Sequence, residues 1–241
     1  MIFLFTDFGR EGPYVGQMQA VLARATPDVP VIDMVADLPA FDPKLASYLL
    51  PAYCQQAQPG DVVLAVVDPG VGTSRLCVAL QADGVWYLGP DNGLLAHIVR
   101  RSRSCAAWQI DVPEASSATF HGRDVFAPVA TTLAQGQKPM GVSIDPQTLD
   151  RAAWPDDLPA IIYQDRYGNL LTGLRVSTVP HLKSLYVSGA SLPFVRTFGD
   201  VMRGTAFVYE NANGLWELAV NGGSAAQVLG LRVGDQIELN S

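Results

Sequence analysis

Val62-Val-Leu-Ala-Val-Val67, followed at once by Asp68-Pro-Gly-Val-Gly-Thr-Ser-Arg75, decides how this chain is read. An unbroken apolar run rich in β-branched residues that stops at Asp-Pro-Gly predicts a buried strand ending abruptly at a loop. In an open α/β sheet, ligands bind at the carboxyl ends of the strands. An Asp at such an end, with Arg75 a short way along the same loop, is a candidate polar pair at a pocket mouth. The same residues would also serve as a turn Asp capping its own backbone beside a solvated Arg.

Outward from this strand the pattern alternates. Residues 2–6 read as a second buried strand, followed by the polar loop Thr6-Asp7-Phe8-Gly9. Val15, Met18, Val21 and Leu22 form one stripe of a helix over 14–25, and residues 29–34 read as a strand. Pro43 suits a first helical turn, and Leu45, Tyr48, Leu49 and Ala52 continue that helix. Short strands are expected at 77–80 and 85–88, with helices over 90–101 and 124–134, the latter ended by Gly136. Strand alternating with helix predicts an α/β domain, residues 1–150, with a mostly parallel sheet covered on both faces. Beyond residue 144 the character changes. Residues 145–159 are rich in Pro and Asp and read as a linker. Short strand-like runs follow at 160–164, 170–174, 184–187, 205–209, 215–220 and 236–239, with a helix over 225–229 that Ser224 would cap. That spacing predicts a small all-β, barrel-like domain, residues 151–241.

Composition narrows the function classes. The chain has 241 residues, 49% hydrophobic and 16% charged, which suits globular domains with substantial cores. No apolar stretch approaches the ~20 residues of a membrane span, and the opening Ile2-Phe-Leu-Phe5 lacks the basic start of a signal peptide. The expectation is therefore a cytoplasmic protein. Three cysteines, Cys54, Cys77 and Cys105, lack metal-ligand spacing and read as buried thiols of a reducing compartment. A net charge of −7 disfavours nucleic acid or an anionic membrane as partner and suits a small cationic or zwitterionic ligand.

Two further polar clusters join Asp7 and the Asp68 loop: Gly89-Pro-Asp91-Asn92-Gly93 and Phe120-His121-Gly122-Arg123-Asp124. An Asp ending a first strand can accept hydrogen bonds from two ribose hydroxyls. His121, between an aromatic residue and a glycine before a helix, is the most promising of three histidines. His97 lies among Leu94, Leu95, Ile98 and Val99 and reads as packed, and His181 carries no signal. No pair of the histidines has zincin or Cys/His metal spacing, which disfavours a metal site, and the sequence has no nucleophile elbow, Walker A loop or dinucleotide fingerprint.

Together these clusters resemble the S-adenosyl-L-methionine (SAM) hydrolases, or SAM hydroxide adenosyltransferases, relatives of fluorinating and chlorinating enzymes that act on the same substrate. Asp165-Arg-Tyr-Gly-Asn169 and Asn221-Gly-Gly-Ser-Ala225 are similar to segments of the family's second domain. The resemblance runs in order along nearly the whole chain. It implies a homotrimer with each active site between the first domain of one subunit and the second domain of the next. It implies an Asp-Arg-His triad at Asp68, Arg75 and His121, a ribose-binding Asp7 and an aromatic wall at Phe41. Asp165, Asn169 and Asn211 are implied as substrate contacts, with no cofactor and no metal. The chain departs from the family at Ala36, where a His is frequent, at Ala212, where a Ser is usual, and at Gly222, where related enzymes carry an Arg.

The implied reaction converts SAM to adenosine and L-methionine by in-line attack of water or hydroxide at ribose C5′. Attack on a sulfonium cation neutralises charge, so a dry pocket favours it. Making hydroxide is the difficulty, because bulk water has a pKa of about 15.7. Arg75 would stabilise developing hydroxide, while either Asp68 or His121 accepts a proton. Two other readings are a SAM- or adenosine-binding module without turnover and a halide adenosyltransferase. The halide reading is disfavoured by Gly122, where the fluorinating relatives carry a halide-binding Ser.

Overall fold

The computed structural model describes residues 1–151, 153–179, 184–187 and 190–240, and His181 lies outside them. The chain divides into two compact units, Met1–Ala153 and Trp154–Ser241.

The first unit runs β1 (Ile2–Thr6), α1 (Tyr14–Ala25), β2 (Val31–Val35), α2 (Pro43–Tyr53), β3 (Val62–Val66), β4 (Cys77–Ala82), β5 (Val85–Pro90), α3 (Ala96–Arg101), β6 (Cys105–Ile110), α4 (Ala127–Ala134) and β7 (Gly141–Ile144). Its sheet has the order β2-β1-β3-β5-β4-β6-β7. From β2 to β5 the pairings are parallel, and from β5 to β7 they are antiparallel. The sheet is therefore mixed rather than mostly parallel. The cause is local: Asp83 (φ 48°) and Gly84 (φ 87°) both take left-handed backbone between β4 and β5. That is the conformation a two-residue hairpin turn requires, and it folds β5 back along β4.

Every residue of β1 and β3 is buried, as an unbroken apolar strand requires when both sheet faces are covered. On one face Ile2, Leu4, Leu64 and Val66 join Val15, Met18 and Leu22 of α1 and Ala127, Ala130 and Leu133 of α4 in one core. On the other, Phe5 meets Tyr53 of α2 edge-on, and Tyr48 of α2 stacks on His97 of α3 at 4.1 Å. His97 is thus a packed core histidine, its Nδ1 3.0 Å from Ser47 Oγ. The Asp42 carboxylate caps α2 by accepting the Leu45 N–H at 2.9 Å, with Pro43 in the first turn.

One expected helix is shorter than its apolar stripe, and another starts irregularly. The helix over 90–101 reduces to α3, because Asn92 donates to the Val67 carbonyl and accepts the Leu94 N–H, bending 91–95 into a turn. The helix over 124–134 begins as a π-helical turn, Gly122–Phe126, which runs into α4. The expected linker is ordered at its start: β7 precedes it, and Asp145 caps a short helical turn, Pro146–Leu149, whose Leu149 is buried.

The second unit comprises β8 (Leu158–Gln164), β9 (Leu170–Arg175), β10 (Ser184–Val187), β11 (Ala190–Leu192), β12 (Ala206–Glu210), β13 (Leu215–Val220), α5 (Ala225–Leu229) and β14 (Glu238–Asn240). They form antiparallel sheets of order β12-β13-β9-β8 and β11-β10-β14. Backbone hydrogen bonds join the sheets at both edges: Ile161 to Asp235 (2.9 Å) and Ile237 to Pro159 (2.9 Å) on one side, Val208 to Pro193 (2.9 Å) on the other. Ile161, Leu170, Leu185, Val208 and Leu218 centre its core. Among the described residues, no helix is long and apolar enough to cross a membrane.

Candidate active site

Asp68 follows β3, Arg75 lies two residues before β4, and His121 stands at the entrance of the π-helical turn, an irregularity frequent at functional sites. The loop between Asp68 and Arg75 is tied by its own backbone, Val71 to Asp68 (3.2 Å) and Thr73 to Gly70 (3.1 Å). Gly72 seats this loop against the segment carrying His121. It has φ +78°, and a Cβ there would lie 2.4 Å from the Ala118 carbonyl oxygen. Only a glycine meets both conditions.

The three side chains converge on one guanidinium. Arg75 Nε donates to Asp68 Oδ1 at 2.9 Å, and Nη2 donates to Asp68 Oδ2, a bidentate pair. Nη2 also donates to His121 Nδ1 at 3.0 Å. Nη1 donates to Cys77 Sγ at 2.8 Å and, more weakly, to the Leu76 carbonyl at 3.5 Å. All five N–H groups of the arginine are therefore used. The Phe126 ring lies 5.7 Å from the guanidinium carbon. The pair is nearly dry, with side-chain exposures of 9% for Arg75 and 5% for Asp68.

Burial works against the Arg75 charge, but the Asp68 bonds and charge outweigh it and hold the guanidinium above its ordinary pKa. Burial, then the Arg75 charge, pushes His121 below the usual histidine value, against the smaller pull of Asp68 and Asp124. Burial raises the Cys77 thiol, opposed by Arg75. Phe120, which precedes His121 in the chain, forms an aromatic trio with Phe8 and Tyr14, with ring centroids 5.3–5.8 Å apart. Arg123 covers Phe120 at 5.1 Å and binds Asp124 through both carboxylate oxygens.

Asp7 leads away from the end of β1, next to β3 in the sheet. Its Oδ2 accepts the Phe41 N–H at 3.0 Å, and burial raises its pKa against that bond. Phe41 is 77% exposed and has φ 60°, a left-handed backbone that a bulky residue rarely adopts. The Gly89-to-Gly93 cluster is structural in this arrangement: Asn92 holds the end of β3, and Asp91 pairs with Arg151 at 2.7 Å.

Asp165, Asn169 and Asn211 belong to the second unit. Asp165 closes its own loop, Oδ1 accepting the Tyr167 and Asn169 N–H groups at 2.9 and 2.8 Å and Oδ2 accepting from Asn169 Nδ2 at 2.9 Å. Asn169 lines a cavity of about 470 Å³ with Tyr167, Phe198, Val220, Gly222 and Gly223. Asn211 is committed internally: Nδ2 donates to Glu217 Oε2 at 2.9 Å, and Oδ1 accepts the Asn213 and Leu215 N–H groups. Its amide builds the turn into β13. Among the described residues, no group of three or more His, Cys, Asp and Glu is placed to hold a metal ion.

Sequence reasoning passed over Cys77 and Gly72. Cys77 is a single cysteine without a spacing pattern, and only the pairing of β4 reveals its contact. Gly72 did carry a signal, a second glycine shortly after Asp-Pro-Gly.

The fold and this cluster define a two-domain protein that matches the SAM hydroxide adenosyltransferase N-terminal domain over residues 2–143 and the C-terminal domain over 159–238. The chain belongs to the SAM hydroxide adenosyltransferase family. It is 39% identical to a protein of Thermus thermophilus named (R)-S-adenosyl-L-methionine hydrolase, covering 99% of this chain and 98% of the relative. A protein of the same name from Salinispora tropica is 37% identical, covering 98% and 96%. A fluorinase of Nocardia brasiliensis is more distant, at 22% identity over 99% of this chain and 96% of its own. Among solved structures, an uncharacterized conserved protein of Thermotoga maritima superposes with a TM-score of 0.88 at 29% identity, over 100% of both chains. A conserved hypothetical protein of Thermus thermophilus superposes with a TM-score of 0.79 at 38% identity, over 99% of both chains.

Proposed function

We propose that this protein hydrolyses S-adenosyl-L-methionine to adenosine and L-methionine by in-line attack of a water-derived oxygen at ribose C5′. Family membership and relatives named for this activity support the reaction. The observation that carries the mechanism is the single guanidinium that Asp68, His121 and Cys77 share. The relatives' names specify the (R) epimer at sulfur, and this chain is read as sharing that preference.

The distances support a division of roles. His121 Nδ1 faces two donors, Arg75 Nη2 at 3.0 Å and the Cys77 thiol at 3.8 Å. It is therefore an acceptor, and the imidazole proton sits on Nε2. The lowered pKa agrees with a neutral ring. A neutral ring with Nε2–H is a donor, so His121 orients the attacking oxygen rather than taking its proton. Each Asp68 oxygen keeps a lone pair after accepting from Arg75, and Asp68 takes the proton as the C5′–O bond forms. The electron pair of the breaking C5′–S bond returns to sulfur and leaves neutral methionine, so no acid is needed for the leaving group. Arg75, with every N–H committed, acts by fixing the other two groups and supplying positive potential. Asp7 receives the ribose hydroxyls and Phe41 supplies the aromatic wall.

The second unit completes the site in a homotrimer, where a neighbour's Asp165 loop and Asn169 cavity cover the substrate. Asn211 contributes there through the turn it builds. The hydrogen bonds joining the second unit's two sheets support its reading as a small barrel. Three free thiols suit a cytoplasmic setting. The reaction needs neither cofactor nor metal in this reading.

The test is incubation of the purified protein with each SAM epimer in ¹⁸O-labelled water, without added metal. Equimolar adenosine and methionine should appear, with label at the 5′ oxygen, and Asp68→Asn should abolish both products. Binding by calorimetry with no products would instead make the chain a binding module. A monomeric mass by light scattering would sink the shared-site arrangement.

A further inference from the structure

The proposed triad leaves one edge of the guanidinium unexplained. Asp68 takes Nε and Nη2, and His121 takes the second hydrogen of Nη2. Nη1 points the other way, into a buried region, where an unsatisfied N–H would cost on the order of 1–3 kcal/mol. Its acceptors are Cys77 Sγ at 2.8 Å and the Leu76 carbonyl at 3.5 Å, the latter at the limit of a hydrogen bond. Cys77 is only 1% exposed and opens β4. Its backbone is paired on both sides, to Pro90 of β5 and to Ile110 of β6, so the sulfur stands on a fixed part of the sheet. With Phe126 against the guanidinium, the plane has little freedom to turn.

We propose that Cys77 is a positioning residue for the hydrolytic reaction: its sulfur takes the Nη1 hydrogen of Arg75 and locks the guanidinium plane on which Asp68 and His121 rest. The inference adds a fourth group to the mechanism above and rests on that reading for its effect on turnover. Sulfur suits the place because a thiol is weakly hydrated and tolerates burial, yet still accepts a hydrogen bond. The Cys77 sulfur also lies 3.8 Å from His121 Nδ1, where its thiol hydrogen can serve as a second donor to that nitrogen. Without the sulfur, Arg75 can swing Nη2 away from His121, and Nδ1 becomes free to take a proton.

The experiment compares wild type, Cys77→Val and Cys77→Ser by SAM turnover, thermal melting and ¹⁵N NMR of the histidine rings. Valine fills the volume and suits a strand, but accepts no hydrogen bond. Cys77→Val should lose about tenfold in kcat with KM within twofold, and its His121 should protonate at a higher pH than in wild type. Cys77→Ser, which keeps an acceptor, should recover most of kcat and the wild-type His121 titration. A purely structural cysteine would lower the melting temperature and leave kcat and the His121 titration unchanged, and that result overturns the proposal. If wild type itself turns over no SAM, the hydrolase reading fails. The His121 titration of the two variants still decides whether Cys77 positions Arg75.

Discussion

Replacing Arg75 by lysine keeps the positive charge and removes the geometry, which makes it the sharpest test of the site. The wild-type guanidinium holds Asp68 through two nitrogens, His121 through a 3.0 Å bond and Cys77 through a 2.8 Å bond. An ammonium group has three donors around one atom and cannot span these partners in one plane. It keeps one bond to Asp68 and loses the second, together with the hold on His121 Nδ1. Both lost bonds have the charged guanidinium as donor, and each such bond is worth about 1.5–3 kcal/mol. If both losses are felt in the transition state, the barrier rises by roughly 3–6 kcal/mol, on the order of 10²- to 10⁴-fold in kcat at 1.36 kcal/mol per tenfold. Substrate affinity should stay within about threefold, because no proposed contact to adenosine or methionine is removed. The assay is chromatographic adenosine release with calorimetric binding on the same preparation. An Arg75→Lys variant with kcat within threefold of wild type would refute the argument that the fork, rather than the charge, organises the site.

Three other perturbations read different parts of the structure. Phe41→Gly should relieve the left-handed backbone and raise the melting temperature slightly, by roughly 1 kcal/mol of strain, while KM rises severalfold; an unchanged KM would remove Phe41 from the substrate wall. Gly72→Ala forces a Cβ to 2.4 Å from the Ala118 carbonyl, so kcat should fall at least tenfold even where circular dichroism shows a folded protein; wild-type turnover would mean the two loops need not touch. Lowering pH should leave kcat flat through 6.5 and reduce it only below, since His121 titrates below its ordinary value. The stability contribution has the same direction. The unfolded chain binds the His121 proton first, so this contribution is complete above 6.5 and is lost as pH falls from there to the lowered folded value. A half-maximal rate above pH 6.5 would contradict the neutral-ring assignment.

The strands around Asp68 and Arg75 were legible because unbroken apolar runs and Asp-Pro-Gly breaks are local signals. The helix of Val15, Met18 and Leu22 was legible for the same reason, with all three side chains buried against β1 and β3. The candidate triad residues could be named from their motifs, but not how they share a guanidinium. Arg75 and His121 are 46 positions apart, and the sequence carries no trace of a bond between Nη2 and Nδ1. The expected helix over 90–101 extended too far because Leu94 and Leu95 are buried without being helical; Asn92 had already turned the chain by binding the end of β3. Asn211 matched a family position, yet its amide is consumed by its own turn and by Glu217. The expectation of a mostly parallel sheet fails at Asp83-Gly84, a turn that joins two strands with no room for a crossover.

That same turn gives the first unit two halves with different folding demands. β4, β5 and β6 lie close in sequence and pair as antiparallel neighbours, so their contacts close short loops. β1, β2 and β3 pair in parallel only after α1 and α2 have been looped across, at a greater entropic cost. Cys77 lies in the early-forming half, whereas Asp7 and Asp68 follow strands of the late one. The guanidinium partners of the site would thus meet near the end of folding. Mutations that weaken the Asp83-Gly84 turn should slow refolding, with φ-values near one at the hairpin and near zero at α1. Equal φ-values across both halves would mean that the sheet forms as a single unit.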